Sequence, residues 1–180
     1  MKSEVMKIIE KVYVKKNYEF FVNKCKTTIK LPDAIISFLK GNGFDILEFH
    51  ENLEASKKWC IKFKEFQLGE FKVSYCTTIE ISKIERLFYI QHEFSVPNMD
   101  DKKIEPLLEG FGSHPYTTEQ ASVYDKIIDE LIKLGYLELS YKEMNEVVNL
   151  DFEKKLESIY GEQPTIEGLI FHDIMDINYK

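Results

Sequence analysis

Arginine is almost missing from this chain. Of its 24 basic residues only Arg86 is arginine, and the rest are lysines. Lysine meets a phosphate as a point charge and lacks the planar fork that grips a base edge at two points, which argues against base-specific reading of nucleic acid. Cysteine is scarce too. Cys25, Cys60 and Cys76 show no C-x-x-C spacing, and an odd number leaves one unpaired, so a disulfide framework is excluded. Five prolines and eight glycines are too few for collagen-like or low-complexity sequence. No apolar run approaches the roughly 20 residues of a membrane span. The opening stretch, residues 1–16, breaks its apolar residues with charges every few positions, unlike the apolar core of a signal peptide.

What is present is the mix of an ordinary soluble protein: 180 residues, 44% hydrophobic, 13% aromatic and 31% charged. A chain of this length buries about 70% of the surface its unfolded form exposes and needs no staple. We therefore expect one globular domain over residues 1–180, in the cytoplasm. The lysine bias, with many Ile and Asn, suits an AT-rich bacterial genome. The net charge is −7 and is unevenly spread. Residues 1–96 carry 16 basic against 13 acidic side chains, and residues 97–180 carry 8 against 18. An acidic second half attracts a cationic partner and repels nucleic acid, although surplus carboxylates also serve solubility alone.

The order of periodicities gives the fold class. Val5, Ile8, Ile9 and Val12 fall at helical intervals, while Tyr18 to Val22 fits helix and strand equally. Leu31-Pro32-Asp33 supplies a stop and an N-cap, Ile35, Ile36, Phe38 and Leu39 form an apolar face, and Gly41-Asn42-Gly43 ends that helix. A strand is expected from Phe44. Phe71, Val73, Tyr75, Thr77, Ile79 and Ile81 then repeat with period two, as do Phe88, Ile90, His92, Phe94 and Val96. Residues 59–96 thus read as an antiparallel meander with one face solvated or under polar cover. The Gly110-Phe111-Gly112 stretch reads as a turn.

From Thr117 the period becomes helical. Thr117 with Gln120 suggests a capping box, Tyr124, Ile127, Ile128 and Leu131 make the apolar stripe, and Gly135 ends the helix. Ser140 with Glu143 repeats the box, Phe152, Leu156 and Ile159 suggest a further helix to Gly161, and Ile166 to Ile177 fits both periods. The expected fold is α+β: an antiparallel meander flanked by N-terminal and C-terminal helices, with residues 117–160 as the helical part.

Catalytic constellations are thin. There is no G-x-S-x-G and no H-E-x-x-H, and neither two-glycine turn has the lysine or the third glycine of a phosphate loop. His92 shares a face with Phe88, Ile90 and Phe94 and reads as a hydrogen-bonded core histidine. His172 and Asp176 would share a face if the C-terminal segment is helical, and could hold two positions of a metal site. Cys60 and Cys76 fall on neighbouring expected strands, where a cross-strand pair is geometrically possible, although cytosolic cysteines usually act as small buried apolar groups. Thr117 to Ser140 has the look of a winged-helix fragment, but its helix sets Glu119, Asp125, Asp129 and Glu130 against Lys126 and Lys133 alone.

Leu31-Pro32, five residues, Phe38-Leu39, two residues, then Asn42-Gly43 resembles the L-P-x5-F-L-x2-N-G signature of a large superfamily. It is named after a yeast cell-wall-assembly regulator and includes bacterial immunity proteins. This chain departs from the signature with Ile35 in place of an aromatic and Phe44 in place of a second glycine. The resemblance implies a protein that neutralises a toxin. With the missing catalytic motifs and the acidic second half, we expect a non-catalytic immunity or antitoxin-type protein masking a cationic partner, without cofactor. Glu119, Asp125, Asp129 and Glu130 lie off the apolar stripe and would face that partner, and Glu138, Glu143 and Glu146 extend the surface. The alternatives are a small enzyme using His50, His172 and nearby carboxylates with a metal, or a winged-helix-like regulator. Because the possible ligands are scattered and the core is large, a chelator should leave the melting temperature unchanged. A drop reversed by one metal would move the enzyme reading ahead.

Overall fold

In the computed structural model, residues 2–49, 54–97, 100, 102, 108–149, 164–174 and 177 are described. The chain opens with α1 (Lys2–Ile9), which runs into a π-helical turn over Glu10–Val14. Two helices follow, α2 (Tyr18–Cys25) and α3 (Asp33–Gly41), then strands β1 (Asp45–Glu48), β2 (Ser56–Lys62), β3 (Phe66–Leu68), β4 (Phe71–Ser82), β5 (Leu87–Val96) and β6 (Leu108–Gly112). The last elements are α4 (Thr118–Lys133), β7 (Leu137–Glu138), α5 (Tyr141–Met144) and α6 (Ile166–Ile170). The sheet order is β1-β2-β4-β5-β6, all antiparallel, with β3 on β4 as a small hairpin and β7 beside β5 in parallel. The architecture is α+β in one domain, as expected. Among the described residues no helix is long and apolar enough to cross a membrane.

Period two puts alternate residues of β4 and β5 on opposite faces. Trp59, Ile61, Ile79, Ile81, Phe88 and Ile90 face α3 and α4 and pack with Ile35, Leu39, Val123, Ile127 and Leu131. The other face is covered at one end only. There Leu87 and Tyr89 join Val5, Ile9, Val12, Tyr13 and Phe21 from the N-terminal helices and Leu169, Ile170 and Phe171 from the C-terminal end. Tyr13 donates to the Leu169 carbonyl at 2.7 Å, and Ser82 to the Ile170 carbonyl at 2.9 Å. Both ends of the chain therefore close over the same patch of sheet.

Several expectations change. Asp33 is the first residue of α3 and Pro32 its N-cap, without a side-chain bond, so the proline starts the helix and the carboxylate sits in its first turn. Asn42 returns its amide to the Phe38 carbonyl at 2.8 Å, and Gly43 takes φ +74°, which ends α3 as expected. Every residue of the Leu31–Gly43 signature thus has a packing or capping role. Tyr18 to Val22 is helical. Gly110 to Gly112 is the end of β6 and not a turn, because Gly110 lies opposite Phe94 and the ring lies where a Cβ would stand. The expected helical part at 117–160 contains the strand β7, and its second helix stops at Met144. Residues 152–161 lie outside the described residues, and Ile166 opens a helix of five residues.

The α4 stripe is also rotated about the helix, keeping Ile127 and Leu131 but exchanging Tyr124 and Ile128 for Val123 and Gln120. Gln120, Val123, Ile127 and Leu131 are its buried line, while Tyr124 and Ile128 flank it. Ile127→Ala should therefore cost about 2–5 kcal/mol in urea unfolding, and Ile128→Ala clearly less. Equal costs would mean the helix is rotated from this position.

Candidate functional site

The open end of the sheet face is a cleft of about 680 Å³. It lies on the side away from α3 and α4, where the N-terminal helices no longer reach. Cys60 of β2, Cys76 of β4 and Glu93 of β5 line it. Cys76 lies opposite Glu93 across the β4–β5 pair, and Cys60 lies opposite Thr78, two residues on from Cys76. Alternation makes all four side chains point the same way.

Glu93 is the acceptor at the centre. It receives the Cys76 thiol at 3.4 Å, the Thr78 hydroxyl at 3.0 Å and the Gln91 amide at 3.1 Å. Gln91 in turn accepts from the Tyr89 hydroxyl at 3.2 Å, and burial pushes that phenol up to about 12. The neighbouring Cys76 draws the Cys60 thiol below its ordinary value, while Cys60, burial and the Glu93 charge hold Cys76 above it. None of the three cysteines is in a disulfide.

A brace stands behind this cluster. Gln120 is buried on the opposite face, and its amide donates to the Cys76 carbonyl at 2.8 Å and the Glu93 carbonyl at 3.4 Å. Its side-chain oxygen accepts from the Tyr116 amide at 2.9 Å. The expected capping box is therefore half made: Thr117 accepts from the Gln120 amide, but the Gln120 side chain goes to the sheet. The Ser140–Glu143 box is complete.

The cleft walls are acidic. Asp45, Glu65, Glu93 and Glu109 line the cleft with one lysine, Lys62, among its described lining residues, and Lys72 of β4 pairs with Glu65 at 2.7 Å. Phe111, 58% exposed, closes one side and packs on Tyr141 at 6.0 Å between ring centres.

The acidic residues chosen from the sequence do not form one open surface. Glu119, Asp125 and Asp129 are exposed on α4, but Asp129 and Glu130 both bond Lys133, and Glu130 also takes Lys126 at 2.9 Å. These lysines hold Glu130 below the usual carboxylate range. Glu138 is half-buried and accepts from Tyr124, with burial raising its carboxyl. Glu143 serves the α5 cap, and Glu146 is half-buried with its carbonyl bonded to Ile166.

The histidines separate as well. The helix that would have aligned His172 with Asp176 ends at Ile170, and Asp176 and His50 lie outside the described residues. His172 faces Glu167 at 3.9 Å, and that carboxylate raises its imidazole. No group of three His, Cys, Asp or Glu among the described residues is placed to hold a metal. His92 is a core histidine: fully buried, with Nδ1 at 2.8 Å from the Thr77 hydroxyl and the ring against Tyr124. Its Nε2 is buried and meets no partner among the described residues.

Burial, then the charge on His114, lowers His92 from 6.5 to about 4. Between those values the unfolded chain takes up a proton that the folded chain refuses. Stability should therefore fall as pH drops through that window, by up to about 1.4 kcal/mol per pH unit. His172, raised by Glu167, acts in the opposite sense nearer neutrality. Urea unfolding from pH 7 to pH 4 should show the loss in the wild type and a flatter profile in His92→Phe. An unchanged slope would remove His92 as its cause.

Sequence reasoning allowed a cross-strand Cys60–Cys76 pair but gave no register, so it did not bring Glu93 to them. No protein-family model, curated protein or solved structure matches this chain.

Proposed function

We propose that this chain is a non-catalytic binding protein of the immunity or antitoxin type, and that it masks a cationic protein partner at the open end of its sheet. The observation that carries the reading is the cleft itself, where the exposed aromatic pair Phe111–Tyr141 stands beside Asp45, Glu93 and Glu109, with Glu65 paired to Lys72. Aromatic anchors next to charge of one sign are what a tight, charge-selected contact is built from. The Leu31–Gly43 resemblance and the acidic second half point the same way. On α4 both lysines that could meet a phosphate are engaged by Asp129 and Glu130, which supports a protein partner over nucleic acid.

The two acidic regions would act differently. Buried anchors govern dissociation, and exposed charges at a distance govern encounter, with a reach of about 8 Å at physiological salt. The test is recovery of the partner from the native cell extract at low and high salt, followed by binding kinetics. Phe111→Ala with Tyr141→Ala should weaken affinity by about tenfold or more, mainly through faster release. Reversal of Glu119, Asp125 and Asp129 to Lys should slow association at low salt by about tenfold and leave release unchanged. Recovery of an anionic or nucleic-acid partner, or a cationic one indifferent to both sets, would overturn the proposal.

A further inference from the structure

We propose that the cationic partner enters as an extended segment that adds a strand to the outer edge of β6, with a basic side chain against Glu109 and an apolar one against Phe111. The proposal rests on the reading of the cleft as the docking site and adds how the partner is held. β6 is the last strand on its side of the sheet, and among the described residues no element lies beyond it. An outermost strand turns a row of backbone N–H and C=O groups outward, where another chain can pair with them. Edges are blunted by lysine, proline or a covering element. β6, with the sequence Leu-Glu-Gly-Phe-Gly, has neither lysine nor proline. The opposite edge, β1, is shorter and carries a carboxylate at each end, with Glu48 held by Lys57 at 2.7 Å.

The two faces of β6 fix what the added strand carries. Glu109 pairs with Ser95 and Phe111 with Glu93, so both stand on the cleft face. Both are exposed, and Phe111 leans on Tyr141. Residues directly opposite on antiparallel strands have Cβ atoms about 4.5–5.5 Å apart. An added strand therefore sets one side chain beside Glu109 and another, two residues away, beside Phe111. The first meets the charges of Glu109 and Glu93 and is basic. The second covers an exposed ring and is apolar. Antiparallel pairing is the slightly more stable arrangement, and in it the apolar residue precedes the basic one. On the other face Gly110 and Gly112 offer no side chain, and the Phe94 ring under Gly110 is packed on Tyr116 at 4.9 Å between ring centres. A second copy pairing its own β6 here would set two acidic clefts side by side, which charge repulsion opposes. Charge thus selects a basic segment of another protein.

The probe is the end-blocked peptide Thr-Val-Leu-Val-Lys-Val-Lys, titrated into the full chain and followed by calorimetry and amide hydrogen exchange. Its valines favour an extended chain, and its leucine and first lysine fall two apart on one face. The expected result is saturable binding with slower exchange at amides within 108–112. A strand turns alternate amides to opposite edges, so two N-methylated versions, each blocked along one edge, should differ. One should bind like the parent and the other about tenfold more weakly or worse. Glutamate in place of both peptide lysines should weaken binding by about tenfold or more, and Glu109→Lys in the protein should reverse that preference. The melting temperature of the variant reports whether the fold is kept. Equal binding of both methylated versions and the parent would overturn strand addition and leave the cleft reading standing. So would no binding of any version at millimolar peptide, because the Phe111 and Tyr141 variants test the cleft separately. Dimers of the chain that the peptide dissociates would assign the edge to a second copy and overturn the proposal. An acidic peptide that binds as well as the basic one would overturn both readings.

Discussion

The pairing of β4 with β5, Ser74 opposite Ser95 through to Ile81 opposite Phe88, sets every other position in the molecule. It fixes two surfaces at once, because a shift of one residue would exchange all inward and outward side chains. On one surface the aliphatic and aromatic residues from Ile79 to Ile90 take α3 and α4. On the other, Leu87 and Tyr89 receive both chain ends. Apolar burial of this extent contributes about 25 cal/mol per Å² removed from water, so the register is held from two sides rather than one.

The same pair explains why polar groups lie where they do. Beneath the covered end, Glu80 is buried with Ser56 at 2.6 Å and Lys58 at 3.5 Å, so its charge is compensated in place. Further along the face the cover stops. There the equivalent positions carry Cys76, Thr78, Gln91 and Glu93, which bond to one another and leave a cleft above them. Gln120 reaches the backbone of that stretch from the opposite side, so a residue of α4 braces a face it does not touch. The cleft is thus a consequence of unequal cover on a sheet whose strands run past their lid.

Charge tells a similar story. The acidic excess of the second half attracts a cation as a whole, but individual carboxylates are spent differently. Glu130 and Asp129 neutralise lysines on their own helix, Glu138 holds Tyr124, and Glu143 caps α5. Carboxylates from both halves, Asp45, Glu65, Glu93 and Glu109, converge on the cleft. Net charge by segment therefore describes the long-range field, while the folded register decides where that field is concentrated.

The sequence by itself determined the class of fold and its main elements. Period two marks β4 and β5, period 3.6 marks α1, α3 and α4, and glycines with positive φ at Gly43 and Gly135 mark two helix ends, because these signals are local. It also marked His92 as a core residue from the apolar company on its face. Helix against strand at Tyr18 to Val22 and at Ile166 stayed open, since short apolar runs fit both periods until packing chooses. The tertiary structure alone decided that Gly110 is in a strand under Phe94 and that Gln120 leaves its cap for the sheet. It alone fixed the register that sets Glu93 beside Cys76 and Cys60 on one face. Such contacts depend on strand register, which many weak interactions distant in sequence set together, and no local pattern encodes them.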